Sequence, residues 1–272
     1  MEELAVKKDF TDIYTQDSPY EYLKEMDRLG YSISDSTKPL YNSIIEQLAS
    51  TLSRPINVID LGSSYGINSS LMKYNLTMSE LNDFFLNGSE PTKKETKQFY
   101  EKCDSNDNMN FYQIDISKEA LKFSKEMNLC ERGIAVDLED EKFNLLESLP
   151  KMDIVIATGC VGYIGYKTFS NLLKVIKNRH HHSIESETEY VAPIFAFSVL
   201  RIFDMRYIKE VFEMYGYSIV KKDIKPIRQR NFSDPKEKIR TVSLLHDMKI
   251  NTIKYEDDGN LYADFYIAKS KN

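Results

Sequence analysis

Cysteine is scarce in this sequence, and the few cysteines present are far apart. Only Cys103, Cys130 and Cys160 occur among the 272 residues, and no Cys-x-x-Cys pair is found. Three scattered cysteines are too few for a disulfide framework, and they lack the spacing of a zinc site. We therefore expect reduced thiols, as in a cytoplasmic protein, and no bound metal.

Long apolar runs and an excess of positive charge are also missing. The most apolar window, residues 191–200, has about half the length that crosses a bilayer. Residues 1–9 lack the apolar stretch of a signal peptide. Lys and Arg number 36 against 42 Asp and Glu, a formal net charge of −6, which disfavours a protein that works mainly on nucleic acid. The sequence predicts a soluble, cytoplasmic protein without a membrane partner.

Two helices are predicted ahead of the first strand. Pro19 stands in the first turn of a predicted helix over residues 17–30, a position that proline favours. Over residues 39–52, apolar side chains recur at the spacing of one buried helix face. The sequence therefore divides into a helical N-terminal piece, residues 1–38, and a main domain, residues 39–272.

Strands and helices alternate along the main domain, which is the pattern of a doubly wound, mostly parallel α/β sheet with ligands at the carboxyl ends of its strands. An insertion at 75–109, with two polar helical patches, interrupts this order. The predicted strands are 56–61, 110–115, 133–136, 153–158, 192–200, 218–225 and 261–268, and the helices that follow the insertion are 117–128, 167–177, 204–215 and 235–248.

A glycine-containing loop follows the first predicted strand. From Asp60 to Gly66 it runs Asp-Leu-Gly-Ser-Ser-Tyr-Gly, and a helix begins there. Glycine lets the backbone turn tightly and approach a ligand, and the free amides of a helix start favour an anion. Many strand-to-helix turns contain glycine, so this loop alone is a weak signal.

Acidic residues recur at the next strand ends. Asp115 ends the second predicted strand, where its carboxylate can accept two hydrogen bonds from a ribose diol. Asp137 follows the third strand, and the fourth runs into Gly159 and Cys160. With the loop at residues 60–66, this series resembles the cofactor loops of the class I S-adenosylmethionine-dependent methyltransferases, from about residue 40 to 270.

The resemblance implies a fold, a cofactor and the positions of cofactor-binding residues. It implies a seven-stranded, mostly parallel Rossmann-like methyltransferase sheet, with residues 1–38 as a helical lid. We interpret the 75–109 insertion either as a cap on the site or as an ordinary surface excursion. The implied cofactor is S-adenosylmethionine. Asp60, Gly62, Ser63 and Gly66 match the loop beneath its methionine part and ribose, and Ser64 replaces the middle glycine of that loop.

Further roles are carried over in the same way. Asp115 matches the acid that holds the ribose hydroxyls, and Ile116 matches the residue that packs on adenine. Asp137 and Leu138 match the position that meets the adenine amino group. Gly159 and Cys160 match the loop beside the methionine part, facing the substrate. The predicted lid residues are Tyr14 and Tyr20.

Several other families lack support in the same loops. A nicotinamide dehydrogenase needs Gly-x-Gly-x-x-Gly and a P-loop enzyme needs Gly-Lys-Ser/Thr, and residues 62–66 supply neither. Residues 158–165 lack the prolines of the adenine and cytosine amino-methyltransferases. Cys160 also lacks the preceding proline of a cytosine-C5 enzyme. We therefore interpret it as a small packed residue rather than as a nucleophile.

Four residues are candidates for contact with the methyl acceptor. Tyr163 and Cys160 follow the fourth strand, where the resemblance places the substrate, although Tyr163 also suits a core aromatic. Arg228 and Arg230 lie between a predicted strand and a predicted helix, and an arginine there suits a carboxylate. They belong to a basic strip, residues 221–240, whose alternative interpretation is a solvated face. No catalytic base is identified.

The histidine triplet and the overall function complete the predictions. His180, His181 and His182 are expected in the loop before the fifth strand, and adjacent histidines rarely bind one metal ion.

The main hypothesis is a methyltransferase that acts on a small, anionic or amino-acid-like metabolite. The alternatives are intramolecular cyclisation of the cofactor, as in azetidine-2-carboxylate synthases, methylation of protein or RNA, and a non-catalytic cofactor-binding subunit.

Overall fold

The computed structural model describes residues 11–140, 149–185 and 191–271, with an α/β architecture. The helices are α1 (Tyr20–Arg28), α2 (Ile33–Ala49), α3 (Ile67–Lys73), α4 (Met78–Leu86), α5 (Lys93–Glu101), α6 (Lys118–Glu126), α7 (Tyr166–Glu185), α8 (Arg206–Met214) and α9 (Pro235–Asp247). The strands are β1 (Ile56–Leu61), β2 (Met109–Asp115), β3 (Arg132–Ala135), β4 (Ile154–Val161), β5 (Ile194–Leu200), β6 (Tyr217–Lys221), β7 (Ile227–Asn231) and β8 (Asn260–Ser270). No helix in these ranges is both long and apolar enough to span a membrane.

The strands form one mixed sheet in the order β3-β2-β1-β4-β5-β8-β6, and β7 also pairs with β8. The five strands from β3 to β5 are parallel, whereas β8 runs antiparallel to β5, β6 and β7. The predicted doubly wound, mostly parallel Rossmann-like fold is therefore confirmed. The described sheet has eight strands, one more than predicted, because Ile227–Asn231 forms a strand where a loop was expected.

Alternate residues of β1 enter two separate cores, one on each face of the sheet. Ile59 and Leu61 pack in the cluster that contains Phe169 of α7. Val58 faces the opposite way and packs with Tyr41 of α2. A strand buried on both faces needs a nearly continuous apolar sequence, as Ile56–Leu61 has. Asp60 is the one acidic residue in this strand.

The N-terminal helices differ from their predicted bounds. α1 is shorter than the predicted residues 17–30, and α2 begins at Ile33, six residues before the predicted start at 39. Pro39 lies inside α2 and not in its first turn. The early start is fixed by tertiary contact, because the backbone N–H of Ser32 donates to the carbonyl of Gln229 at 2.9 Å. The division proposed at residue 38 thus falls within a continuous helix.

The 75–109 insertion forms α4 and α5 and packs on the N-terminal part of the chain. Capping boxes open both helices, with Thr77 and Glu80 at α4 and Thr92 and Glu95 at α5. Phe85 of α4 lies in one apolar cluster with side chains of α1, α3 and α6. The insertion therefore stabilises α1 from its outer side.

α7 extends farther than the sequence predicted. It runs to Glu185, and its backbone includes residues 180–182, which were expected in a loop. The predicted end at residue 177 was wrong because neither glycine nor proline occurs between there and Glu185 to stop the helix.

Candidate active site

A cavity opens at the carboxyl ends of β1 and β4, beneath the N-terminal helices. It encloses about 590 Å³, including the part at its mouth that is open to solvent. Its described walls come from the glycine loop (Gly62, Ser63, Ser64), α3, the end of β4, α1, the start of α2 and β7.

Asp60 is fully buried near the end of β1, below the glycine loop. Its Oδ1 accepts a hydrogen bond from the Asn68 amide at 3.0 Å, whereas its Oδ2 has no partner among the described residues. Burial raises the pKa of Asp60 from its ordinary 3.8 to about 7, and the nearby charge of Asp115 adds to that rise. A buried carboxyl oxygen without a partner is costly, so this site favours a bound donor or cation.

The glycine loop needs small residues for two different reasons. Gly62 has a φ of +61°, and a Cβ there would lie 2.7 Å from the Cβ of Cys160. Gly66 has a φ of +77°, and a Cβ there would lie 2.6 Å from the Ser124 Oγ. Ser64, which replaces the expected middle glycine, also adopts a left-handed conformation, with a φ of +50°. That strain, on the order of 1–2 kcal/mol, is offset because its N–H donates to Asp115 Oδ2 at 2.7 Å.

Ser63 and Ser64 place two buried hydroxyls in the wall of this cavity. Both residues are buried and line the cavity, and neither hydroxyl oxygen has a hydrogen-bond partner among the described residues. Buried polar groups in folded proteins are nearly always hydrogen-bonded. The two buried hydroxyls without described partners therefore favour a polar ligand at this loop.

Four predicted cofactor contacts lie at or just after the ends of β2 and β3. Asp115 is held by two backbone N–H groups, from Ser64 at 2.7 Å and Ser117 at 2.9 Å. Ile116, beside it, is 70% exposed, and Asp137 is exposed as well. The Leu138 side chain is buried in the core cluster with Ile134.

The β4 end supplies three of the predicted residues. Gly159 has a φ of +69°, and its N–H donates to Ser198 Oγ at 3.1 Å. The Cys160 thiol donates to the Leu61 carbonyl at 3.2 Å, which fits a packed residue. Tyr163 lines the cavity and is 39% exposed, so it is not a core aromatic.

Of the two predicted lid tyrosines, only Tyr14 is among the described residues that line the cavity. Its ring lies 5.5 Å from that of Tyr22, between centroids, and Tyr22 also lines the cavity. Tyr20 instead has the Lys24 ammonium 5.6 Å from its ring centroid. Positions 20 and 22 face different directions on α1, which separates Tyr20 from the described cavity wall.

The segment that carries Tyr14, residues 11–19, is named here the N-terminal strap. It is held by Tyr65, the residue before the last glycine of the glycine loop. The buried Tyr65 hydroxyl donates to the Gln16 carbonyl at 2.9 Å and accepts from the Gln16 N–H at 3.1 Å. The Ser117 hydroxyl also donates to the Tyr14 carbonyl. The glycine loop and the strap are thereby physically connected.

Tyr65→Phe should loosen the strap while leaving the main domain folded. Removal of the hydroxyl costs on the order of 1 kcal/mol locally, which corresponds to about fivefold faster amide exchange. We expect this increase in residues 13–19 by hydrogen–deuterium exchange, with little change in the thermal midpoint. Tyr207→Phe, which alters an exposed ring on α8, is the matched control. Unchanged exchange in the strap would contradict the assigned contact.

Arg228 and Arg230 lie on β7 but have different roles. Arg228 is not among the described lining residues; it donates to the carbonyl of Gly30 at 2.6 Å and to Asn260 at 2.7 Å, which joins β7 to the α1–α2 turn. Its predicted contact with the acceptor therefore has no support from the described cavity wall. Arg230 does line the cavity, with 1% of its surface exposed, and it forms two hydrogen bonds with Glu237 at 2.7 and 2.9 Å.

Several lining residues were missed by sequence reasoning. They come from α1, the α1–α2 turn, the start of α2, α3, the end of β4 and β7: Tyr22, Met26, Tyr31, Ser34, Asn68, Thr158 and Gln229. Asn68 could have been suspected, because it follows the glycine loop by two residues on the helix. Thr158 ends the predicted strand 153–158, directly before Gly159. The others carry no local signal, since only the packing of α1, α2 and β7 brings them to the strand ends.

The described cavity wall carries few groups able to remove a proton. No His, Asp, Glu or Lys is among the lining residues that the structure describes. Burial raises the pKa of Tyr31 to about 12, and it raises those of Tyr14 and Tyr22 well above 10. These hydroxyls are therefore protonated at neutral pH. In the described ranges, no group of three His, Cys, Asp or Glu residues could hold a metal ion.

Comparisons with known proteins found similar structures and no sequence match. No family model matches the chain, and a search of curated proteins found no match. The solved plantazolicin methyltransferase BamL, in complex with a triazolic desmethylPZN analog and SAH, is 13% identical, with a TM-score of 0.45 over 99% of this chain and 97% of that one. Magnesium protoporphyrin IX methyltransferase (ChlM) from Synechocystis PCC 6803, with bound SAM, is 12% identical, with a TM-score of 0.43 over 94% and 88%.

A third solved structure also combines low sequence identity with high coverage of both chains. The TehB-like SAM-dependent methyltransferase from Corynebacterium glutamicum is 10% identical, with a TM-score of 0.39 over 88% of this chain and 98% of that one. At these scores, the matches assign no substrate and no residue role to this chain.

Proposed function

We propose that this protein is an S-adenosylmethionine-dependent methyltransferase that acts on a small molecule. The observation that carries the proposal is the cavity at the β1 and β4 ends, where the oxygens of Ser63 and Ser64 are buried without a described partner. Asp60 lies beneath this wall, and Asp115 lies at the adjacent strand end. In a doubly wound sheet, this edge is where ligands bind.

The residues present fit the proposed cofactor in three respects. Asp115 uses two oxygens for backbone N–H groups, and its remaining lone pairs can accept from a ribose diol. Ile116 offers an exposed apolar surface beside it for a planar base. Asp60, buried and raised in pKa to about 7, would be held ionised by a nearby cation.

The protein's own contribution would be binding and orientation. When bound, the sulfonium of the cofactor would supply the reactive methyl group. Tyr14, Tyr22 and Met26 would exclude water from the cavity, and the end of β4 would position the acceptor. Because the described lining offers no carboxylate, imidazole or amine, an acceptor that is nucleophilic without a strong base is favoured, such as a carboxylate or a neutral amine.

A small acceptor is also favoured over a polyanion by the internal contacts of the basic strip, residues 221–240. Arg228 is fixed against the α1–α2 turn and Arg230 against Glu237. Lys221 pairs with Asp264 at 2.8 Å, and the Lys238 ammonium donates to the Asp257 carbonyl at 3.0 Å. Charges engaged within the protein offer less to a polyanion than a free strip would. This supports a small molecule over RNA.

Calorimetric titration with S-adenosylmethionine and S-adenosylhomocysteine tests the proposal. We expect dissociation constants well below about 1 mM for both, and no binding of either compound would overturn it. Mass spectrometry of protein incubated with S-adenosylmethionine alone then separates the chemistries. Methylthioadenosine formed without an acceptor would indicate cyclisation, whereas S-adenosylhomocysteine formed only when a metabolite extract is added would support methyl transfer.

A further inference from the structure

Gln229 lies at an irregularity in β7 that turns two successive side chains inward. In the pairing of β7 with β8, Arg228 lies opposite Tyr262 and Arg230 lies opposite Leu261, so Gln229 is an extra residue without an opposite partner. A regular strand alternates its faces, yet Gln229 and Arg230 are both buried, at 3% and 1% exposure. Such bulges often redirect a side chain next to a functional site.

The backbone of this bulge is fixed, and its side chain meets the end of β4. The Gln229 carbonyl accepts from the Ser32 N–H at 2.9 Å. The Gln229 Nε2 lies 3.5 Å, and the Tyr31 hydroxyl 3.0 Å, from the position that a Cβ on Gly159 would occupy. Glycine at 159 thus leaves room where the Gln229 amide and the Tyr31 phenol converge on the cavity.

The Gln229 side chain has an acceptor oxygen with no described partner. Its Oε1 is buried without a hydrogen bond, and the residue lines the cavity. Ser63 and Ser64 are the other lining residues in this state, and they belong to the glycine loop. Beside the β4 end, Gln229 Oε1 is therefore a buried acceptor without a described partner, suited to receive an N–H from a ligand.

We propose that Gln229 Oε1 accepts a hydrogen bond from the amino group at the methionine end of the cofactor. The proposal rests on the proposed function. With the ribose at Asp115 on β2, a ligand that crosses β1 reaches β4 over about 10 Å, because neighbouring strands lie about 4.8 Å apart. Its amino-acid end then lies beside Gly159, within reach of Gln229 and the Tyr31 hydroxyl.

Two ligands that differ only in the amino-acid end provide the test. S-adenosylhomocysteine carries the amino group, whereas 5′-methylthioadenosine lacks the whole amino-acid end. For Gln229→Met, we expect S-adenosylhomocysteine to bind about tenfold more weakly or worse by calorimetry. The affinity for 5′-methylthioadenosine should stay within about twofold, which also shows that the variant is folded.

Gln229→Glu keeps an acceptor oxygen and should retain S-adenosylhomocysteine affinity within about threefold. Unchanged S-adenosylhomocysteine affinity in Gln229→Met would overturn the role of Gln229 and leave the proposed function intact. Equal weakening of both ligands would also overturn it, because it would indicate a general structural role. If the unaltered protein bound neither ligand, the proposed function would fail and this inference with it.

Discussion

Replacement of Asp115 by alanine is expected to weaken S-adenosylhomocysteine binding by about a hundredfold. Two hydrogen bonds from a ribose diol to a carboxylate would be lost. The Ser64 N–H, which donates to Asp115 at 2.7 Å, would lose its partner as well. Because Ser64 has a φ of +50°, the glycine loop would be free to leave its binding conformation. Calorimetric titration of the variant measures the effect.

Two comparisons sharpen the Asp115 experiment. Glu119→Ala removes an exposed carboxylate four residues farther along and should leave the affinity nearly unchanged, which controls for net charge. Circular dichroism should show a folded Asp115→Ala protein. Affinity within about twofold of the unaltered protein would contradict the ribose-binding role.

Breaking the Arg230–Glu237 pair should give the largest loss of stability. Both side chains are buried, with 1% and 4% exposure, and two hydrogen bonds join them. Glu237→Ala leaves a buried guanidinium without its carboxylate, which costs about 3–5 kcal/mol of the free energy of unfolding. The double variant Arg230→Met, Glu237→Leu should recover most of that loss, because no buried charge remains. Chemical denaturation of the three proteins measures these differences.

The pH dependence of stability gives an independent check on the same pair. Burial pushes the pKa of Glu237 upward, but the hydrogen bonds and charge of Arg230, together with hydrogen bonds from Ser233, outweigh it, so the pKa lies below its ordinary 4.5. A lowered folded-state pKa contributes stability that is present above pH 4.5 and is lost as the pH falls through the folded value. The unaltered protein should lose this contribution in acid, and the double variant should not. Glu126→Gln, at an exposed pair with Lys93, is a control expected to change little.

The Arg230 and Glu237 variants also separate the roles of two neighbouring residues on β7, Arg230 and Gln229. Glu237 fixes Arg230, and the neighbouring bulge presents Gln229 to the cavity. If the double variant is stable yet binds S-adenosylhomocysteine poorly, Arg230 contributes to the site through its charge or shape. If its affinity is normal, Arg230 serves the fold and Gln229 alone acts from β7.

The amino-acid sequence by itself determined the sheet and the positions of its strand-end acids. β-branched runs such as Ile56–Leu61 and the intervening helices specify a parallel sheet, and an acid or glycine at a strand end remains at the edge where ligands bind. Asp60, Gly62 and Asp115 were therefore found from local pattern, because the information lies within a few residues of each strand.

Only the tertiary structure decided the rest of the site. Tyr31 and Gln229 are 198 residues apart, and the contact of Ser32 with the β7 bulge brings them together at Gly159. A bulge also decides that Arg230 faces the cavity while Arg228 joins two elements, although both have the same chemistry. A side-chain period of two or 3.6 residues predicts which face of a strand or helix is buried. It does not predict which distant segments pack together. That packing, and not composition, selects which side chains a ligand meets.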